Sequence, residues 1–396
     1  MSTVAKVQQC VRPAYWLFRT DLELRCYNEC TEVLAVTENS PGLPLVSAVD
    51  VTKHFISAES FLARRLGGAT TQRTLAVDGV DLHILAGQTV GLVGESGCGK
   101  STFGRTLVGL TEPTSGQVFY EGSPVWGPNR LSRRDLKHLA QIIFQNPYSS
   151  LNPRNTVRQT IGAALAAKGV RPGDRELEAR SLITRVGLTP GHLDRYPHQL
   201  SGGQRQRVGI ARALAMRPRF IVADEPLSSL DVSVQAQIIA LLQDLQREYG
   251  LSYLLISHDL RVVYHMSDTV AVMYRGQIVE LASADDLFSQ PTHPYTQQLL
   301  SAIPGSGHRL SRRRSRQIRA PGADRDSCGR EACAAEPPAL LGCRFAHRCS
   351  VATRKCVSEP ADLAPLSKYS ESCPHLVRCH NPMPAPADAE GGCPPQ

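Results

Sequence analysis

The chain has 396 residues and a formal net charge of +8, with 42% hydrophobic and 20% charged residues. That length fits one large α/β domain with an appendage, and the composition is that of a soluble globular protein. No run of 18 apolar residues is present and MSTVAKVQQC is no secretory signal, so a membrane-spanning helix and a secreted product are both excluded as expectations.

Residues 1–44 show no clear period and end in the turn-rich stretch NSPGLP; they read as an N-terminal extension of unknown role. From Val46 the pattern becomes α/β. VSAVDV reads as a strand, a second strand lies near AVDGVDLHI, and TVGLV (Thr89 to Val93) is an apolar run that ends in a glycine loop. Phe103, Leu107 and Leu110 recur at helical spacing after that loop. Residues 158–200 are mainly helical, with a break at VRPGD. FIVA (Phe220 to Ala223) and YLLI (Tyr253 to Ile256) read as buried strands on either side of a long helix over Val234 to Tyr249. VAVMYRGQIVE reads as a hairpin turning at Gly276. Strands alternating with helices predict a mainly parallel sheet covered by helices. No internal repeat is visible, so one such domain is expected, over residues 45–305. After Pro304 the composition shifts to Arg, Pro, Ala and Cys, and RLSRRRSRQIR (Arg309 to Arg319) reads as a solvated linker opening a segment 306–396.

GESGCGKS fits G-x-x-x-x-G-K-[ST] and stands between an apolar strand and a helix, the context that this pattern requires. Its residues Gly94, Glu95, Ser96, Gly97, Cys98, Gly99, Lys100, Ser101 and Thr102 are the candidate ATP-binding set. Glycines let the backbone approach phosphates, successive N–H groups and a helix N-terminus bind the negative charge, and Lys100 reaches the β and γ phosphates. Cys98 fills a variable position and carries no expected redox role. FIVADE delivers Asp224 to a strand end, where with the Ser101 hydroxyl it can hold Mg²⁺. Glu225 follows and can orient and deprotonate the attacking water, in chemistry that is mostly positioning and charge neutralisation.

LSGGQ (Leu200 to Gln204), about 20 residues ahead of that Asp-Glu pair, narrows the reading. From about Val46 to Pro304 the chain resembles the ABC ATPases, whose signature loop this is. The resemblance implies that Ser201, Gly202, Gly203 and Gln204 face the ATP of a second subunit. It implies further that Gln145 in IIFQNP senses Mg²⁺ and the membrane partner, that SSLD (Ser228 to Asp231) is the D-loop, that His258 in LLISHD contacts the γ-phosphate, and that Phe55 in VTKHF stacks on adenine. The catalytic set so implied is Glu225, His258, Gln145 and Lys100, with Ser101, Gln145 and Asp224 around Mg²⁺. The fold implied is a P-loop NTPase of ABC type, with a mainly parallel core plus antiparallel β and helical subdomains.

FQNPYSSLNPR, RYPHQLSGGQRQRVGIARAL, DVSVQAQI and HPYTQQLLSAIP resemble the oligopeptide/dipeptide/nickel import ATPases, more closely the second of their two paired ATPases. The implied partners are a second ABC ATPase subunit, two transmembrane permease subunits and, indirectly, a solute-binding protein, with no nucleic acid; the implied place is peripheral, at the cytoplasmic face of the membrane. Eight of the twelve cysteines lie from Cys328 onward. GCRFAHRCS…KC…VRCH resembles the C-terminal extension of the peptide importers, which implies that Cys343, Cys349, Cys356 and Cys379 can carry a [4Fe–4S] cluster. Four thiolates also suit tetrahedral zinc, and Cys373 competes for the fourth place. Import of nickel or another small nutrient, and a non-transport ABC ATPase, are the competing readings. The cysteine-bearing tail argues against the first, and the single nucleotide domain without coiled-coil or zinc insertion argues against the second.

Overall fold

The computed structural model describes residues 43–57, 72–228, 230–302, 342–366 and 375–383. Apart from Leu43 they belong to one compact unit, Pro44–Gln396. The expected extension ahead of Leu43, the boundary near 305, the arginine run, Ser229 of the D-loop and Cys10, Cys26, Cys30, Cys328, Cys333, Cys373 and Cys393 lie outside the described residues.

Strands β1 (Val46–Ser57) and β2 (Gln72–Ile84) pair antiparallel, and β1 pairs on its other side with β4 (Ser115–Tyr120), which continues to β5 (Ser123–Pro124). Between β2 and β4 lie β3 (Thr89–Val93) and helix α1 (Lys100–Leu107), flanking the glycine loop. Next come α2 (Arg133–Leu139), β6 (Ala140–Ile143), α3 (Pro147–Ser150), α4 (Val157–Lys168), α5 (Arg175–Arg185) and α6 (Gly202–Leu214). The chain then returns through β7 (Phe220–Asp224), α7 (Val232–Tyr249), β8 (Ser252–Ile256), α8 (Leu260–Met266), β9 (Thr269–Tyr274) and β10 (Gln277–Ser283). It ends with α9 (Ala284–Ser289), α10 (Pro294–Ser301), α11 (Arg354–Ser358), β11 (Ala364–Pro365) and β12 (Leu376–Val377).

Among the described residues the larger sheet runs β11-β12-β10-β9-β3-β8-β7-β6. Its β9-β3-β8-β7-β6 part is parallel, as the strand–helix alternation predicts, while β10, β12 and β11 add antiparallel edges. Alternate residues of the parallel strands feed two cores. Phe220, Val222, Leu254 and Ile256 join the core under the antiparallel sheet, with Phe103 and Leu107 of α1. Ile221, Ala223, Tyr253 and Leu255 face the opposite core, with Val208 and Ile210 of α6 and Ile238 and Leu242 of α7. Strands buried on both faces read as unbroken apolar runs, which is why FIVA and YLLI carry no alternation.

The expected helix face at Phe103, Leu107 and Leu110 needs one correction. Phe103 and Leu107 are buried, but α1 stops at Leu107 and Leu110 is exposed. Gly109 takes φ 75, its N–H donates to the Thr106 carbonyl and the Leu110 N–H to the Arg105 carbonyl, a left-handed stop that carries Leu110 off the helix. The middle helices have explicit ends: Thr156 and Gln159 form a capping box on α4, and Gly169 closes it at φ 95. Among the described residues no helix is long and apolar enough to cross a membrane.

Candidate nucleotide site

The phosphate loop leaves the end of β3 and enters α1 through Gly99, which takes φ 109. A Cβ on Gly99 would collide with the Ala76 carbonyl oxygen of β2, and one on Gly94 (φ 150) with the Met273 carbonyl oxygen of β9. Only glycine fits where the loop is pressed against two strands. Glu95, Ser96 and Gly97 are exposed at its crest. The Lys100 ammonium donates to the carbonyls of Gly94 and Glu95, each at 2.8 Å. Cys98 is buried beneath it, and burial pushes its thiol pKa up, so it stays neutral. Thr102 lies one turn into α1, where its carbonyl accepts from the Thr106 hydroxyl.

The Ser101 hydroxyl donates to Asp224 Oδ1 at 2.7 Å, joining the start of α1 to the end of β7. Asp224 is 1% exposed, and its pKa is raised, by burial first, against the lowering effects of the Ser101 hydroxyl and of Arg105, whose Nη2 lies 3.9 Å from Oδ2. Hard oxygens from a hydroxyl and a carboxylate are the donor types that Mg²⁺ takes. Glu225, the next residue, sits at φ 46, a left-handed conformation rare for a non-glycine and typical of functional strain. Its N–H donates to the Ile256 carbonyl at 2.9 Å. Gln145 Nε2 donates to Glu225 Oε2 at 2.7 Å, and His258 Nδ1 lies 3.5 Å from the same oxygen. Three residues from the ends of β6, β7 and β8 thus meet at one carboxylate, because parallel strands deliver their C-terminal ends to one edge of the sheet.

The signature residues sit elsewhere, at the start of α6. Ser201 caps the helix: its hydroxyl accepts the Gln204 N–H at 3.3 Å, and the Gln204 side chain accepts the Ser201 N–H at 3.0 Å. A Cβ on Gly203 would press on Val234 of α7, and one on Gly202 would touch Leu230. Phe55 on β1 is 45% exposed, with Lys53 Nζ 5.5 Å from its ring centre, and it stands opposite Thr74, two residues before Ala76.

Cys343, Cys349, Cys356 and Cys379 line one cavity, together with His293 and Phe345. The Cys343 N–H donates to the Cys356 carbonyl at 2.7 Å. Burial raises the thiol pKa of Cys343 and Cys349 and pushes Cys379 up to about 12. Among the described residues no three His, Cys, Asp or Glu side chains form a ligand group for a single metal ion.

Comparison with known proteins names the fold. The ABC transporter family profile matches residues 77–228, and the profile for the oligopeptide/dipeptide transporter C-terminal region matches residues 279–356. The oligopeptide transport ATP-binding protein AppF of Bacillus subtilis is 42% identical over 334 residues, 84% of this chain and 95% of its own length. The chain belongs to the oligopeptide/dipeptide group of ABC transporter ATP-binding proteins. The dipeptide transport ATP-binding protein DppF of Escherichia coli is 46% identical to this ABC ATPase over 263 residues, 66% of the chain and 77% of its own length. A dimeric ATP-binding cassette solved in a post-hydrolysis state with ADP and Pi superposes with a TM-score of 0.51 at 27% identity, covering 60% of this chain and 98% of that one. This ABC ATPase therefore binds and hydrolyses ATP on a P-loop fold.

Sequence reasoning missed three neighbours of the site. Arg105 approaches Asp224, Tyr295 Oη accepts the Glu95 N–H at 2.9 Å, and Arg348 donates to the Glu95 carboxylate at 3.0 and 3.2 Å. Tyr295 is legible in HPYT only as a segment marker, and nothing local in the sequence ties position 348 to position 95.

Proposed function

We propose that this chain is the ATP-hydrolysing subunit that energises import of oligopeptides or dipeptides, as one of two ABC ATPases beneath two membrane permease subunits. The observation that carries the reading is the convergence of Gln145 and His258 on Glu225, one residue after the Asp224–Ser101 pair.

That geometry supports the following roles. Lys100, now on the carbonyls of Gly94 and Glu95 within the loop, binds the β and γ phosphates. Ser101 and Asp224, with Gln145, would hold Mg²⁺, which would neutralise phosphate charge when bound. Glu225 accepts the proton of the attacking water at Oε2, the oxygen that Gln145 orients. His258, beside the same Glu225 oxygen, contacts the γ-phosphate. Phe55, exposed beside the strand that backs the loop, stacks on adenine. Ser201, Gly202, Gly203 and Gln204 present the start of α6 to ATP held by the second subunit, and the dimeric cassette with ADP and Pi supports that arrangement. The names of the relatives, oligopeptide and dipeptide transport proteins, support the cargo. A peripheral place on the cytoplasmic face and a solute-binding protein complete the assembly.

The four thiols fit a [4Fe–4S] cluster within a C-terminal extension from residue 306. They share one cavity, and four thiolates are the ligand set such a cluster takes, while among the described residues no three metal-binding side chains form a ligand group. Ligation there would require loss of thiol protons that burial now holds in place.

The test is reconstitution with the two permeases in liposomes. Mg-ATP turnover stimulated by binding protein loaded with peptide is the expected result. Stimulation by nickel-loaded binding protein alone would overturn the cargo while leaving the ATPase. Iron and acid-labile sulfide in anaerobically purified protein, lost in Cys343→Ser, test the cluster; zinc or no metal would reject it.

A further inference from the structure

We infer that the turn Cys343–Cys349 braces the phosphate loop, and that Tyr295 and Arg348 are positioning residues that tune ATP binding through Glu95. The inference needs only the loop's role in binding ATP and is independent of cargo and of what the thiols hold.

Glu95 is held at three points. Its N–H donates to Tyr295 Oη at 2.9 Å, its carbonyl accepts from Lys100 Nζ at 2.8 Å, and its carboxylate accepts from Arg348 Nη1 at 3.0 and 3.2 Å. The Gly94–Glu95 peptide that Tyr295 fixes through its N–H therefore also holds the Lys100 ammonium through its carbonyl, and the Glu95 carbonyl of the next peptide holds it too. Tyr295 is 1% exposed and its ring packs tilted against Tyr274, with centres 4.6 Å apart, so its hydroxyl has little freedom to follow a moving loop.

The same turn reaches the loop a second way. Arg344 donates to the Arg275 carbonyl and to Asp78. The neighbouring Gly276 N–H donates to the Cys98 carbonyl at 2.8 Å, and the Asp78 N–H to the Gly276 carbonyl at 2.9 Å. Between the two arginines, Phe345 is 2% exposed and packs on Tyr274 and Tyr295, with ring centres 5.4 and 5.5 Å away. One short turn thus carries Arg344, Phe345 and Arg348 and is bounded by Cys343 and Cys349, both on the thiol cavity.

The charge arrangement gives the turn a task beyond packing. Glu95 is an exposed carboxylate in a loop built to receive a polyphosphate, and like charges repel. Arg348 offsets that charge where ATP arrives. Loss of Arg348 should therefore weaken ATP more than ADP, since ATP brings the larger charge.

Equilibrium binding of fluorescent ATP and ADP analogues to the full chain with Mg²⁺ tests this. Arg348→Ala should raise the ATP Kd about two- to fivefold, the scale of an exposed ion pair, with a smaller rise for ADP. Arg348→Lys should restore most of the affinity, and adding Glu95→Gln to Arg348→Ala should recover it by removing the uncompensated charge. Tyr295→Phe, which keeps the ring and loses the acceptor, should raise both Kd values. Parental affinities in Arg348→Ala, or losses equal for ATP and ADP that track a lowered Tm and resist Glu95→Gln, would overturn the inference.

Discussion

At Glu225 the backbone is strained so that one carboxylate oxygen meets both Gln145 and His258. Glu225→Gln keeps a carbonyl oxygen for the Gln145 amide and removes only the capacity to take a proton. Hydrolysis should fall about 10²–10⁴-fold with ATP binding retained, read by single-turnover phosphate release beside nucleotide binding. Asp224 raises the opposite question, of what the site costs the fold. Burial raises its pKa above the ordinary 3.8, so the folded state holds the proton more tightly than the unfolded state does. The ionised carboxylate then lowers stability as pH rises from about 3.8, fully so above the folded pKa. Asp224→Asn should therefore melt about 2–4 °C higher than the parent at neutral pH, with the gain shrinking toward acid, while Mg-dependent hydrolysis is lost. A lower Tm for the variant at neutral pH would show that the Ser101 hydrogen bond outweighs desolvation.

At the scale of elements, the loop between β3 and α1 works because two strands press on it from behind. Gly99→Ala would force a φ of 109 on a side chain that also meets the Ala76 carbonyl. The strain alone is about 1–3 kcal/mol, so the expected outcome is loss of at least about tenfold in nucleotide affinity by calorimetry, with the sheet intact by circular dichroism. Much of this was legible in the sequence. GESGCGKS follows a buried apolar strand, FIVADE and LLISHD each begin in one and run off its end, and parallel strands bring their ends together whatever lies between. Leu110 departs from the expected helix face because periodicity registers spacing but not the left-handed Gly109 that ends the helix. The contacts of Glu95 with Tyr295 and Arg348 were invisible for another reason. They span 200 and 253 positions, and no local pattern encodes which exposed arginine meets which exposed carboxylate.

For the molecule as a whole, the described part of the cysteine segment adds two short strands to the edge of the sheet. β12 pairs with β10, Glu280 opposite Val377 and Leu281 opposite Leu376. The join is locked by a buried polar group. Glu280 accepts the Thr292 N–H and hydroxyl at 2.8 Å each, the His293 N–H at 3.0 Å, and lies 2.6 Å from His375 Nε2. Both Glu280 and His375 are wholly buried. Burial by itself would push the Glu280 pKa up, but His375 first, then the Thr296 side chain and the Thr292 N–H, hold it below its ordinary value. Glu280→Gln places an amide N–H₂ among these donors, so one end of the join loses its acceptor. Breaking such a buried pair costs about 3 kcal/mol or more, a Tm drop of roughly 5–10 °C. The damage should be local first: trypsin should cut at Arg344, Arg348 and Arg378 while α7 and β8 stay protected. Because Glu280 accepts the His293 N–H, and the His293 ring lies 6.0 Å from that of Phe345 in the turn that carries Arg348, Glu280→Gln should also weaken ATP relative to ADP, and Arg348→Ala should add little to it. Full additivity of the two substitutions would mean that the join and the brace act separately.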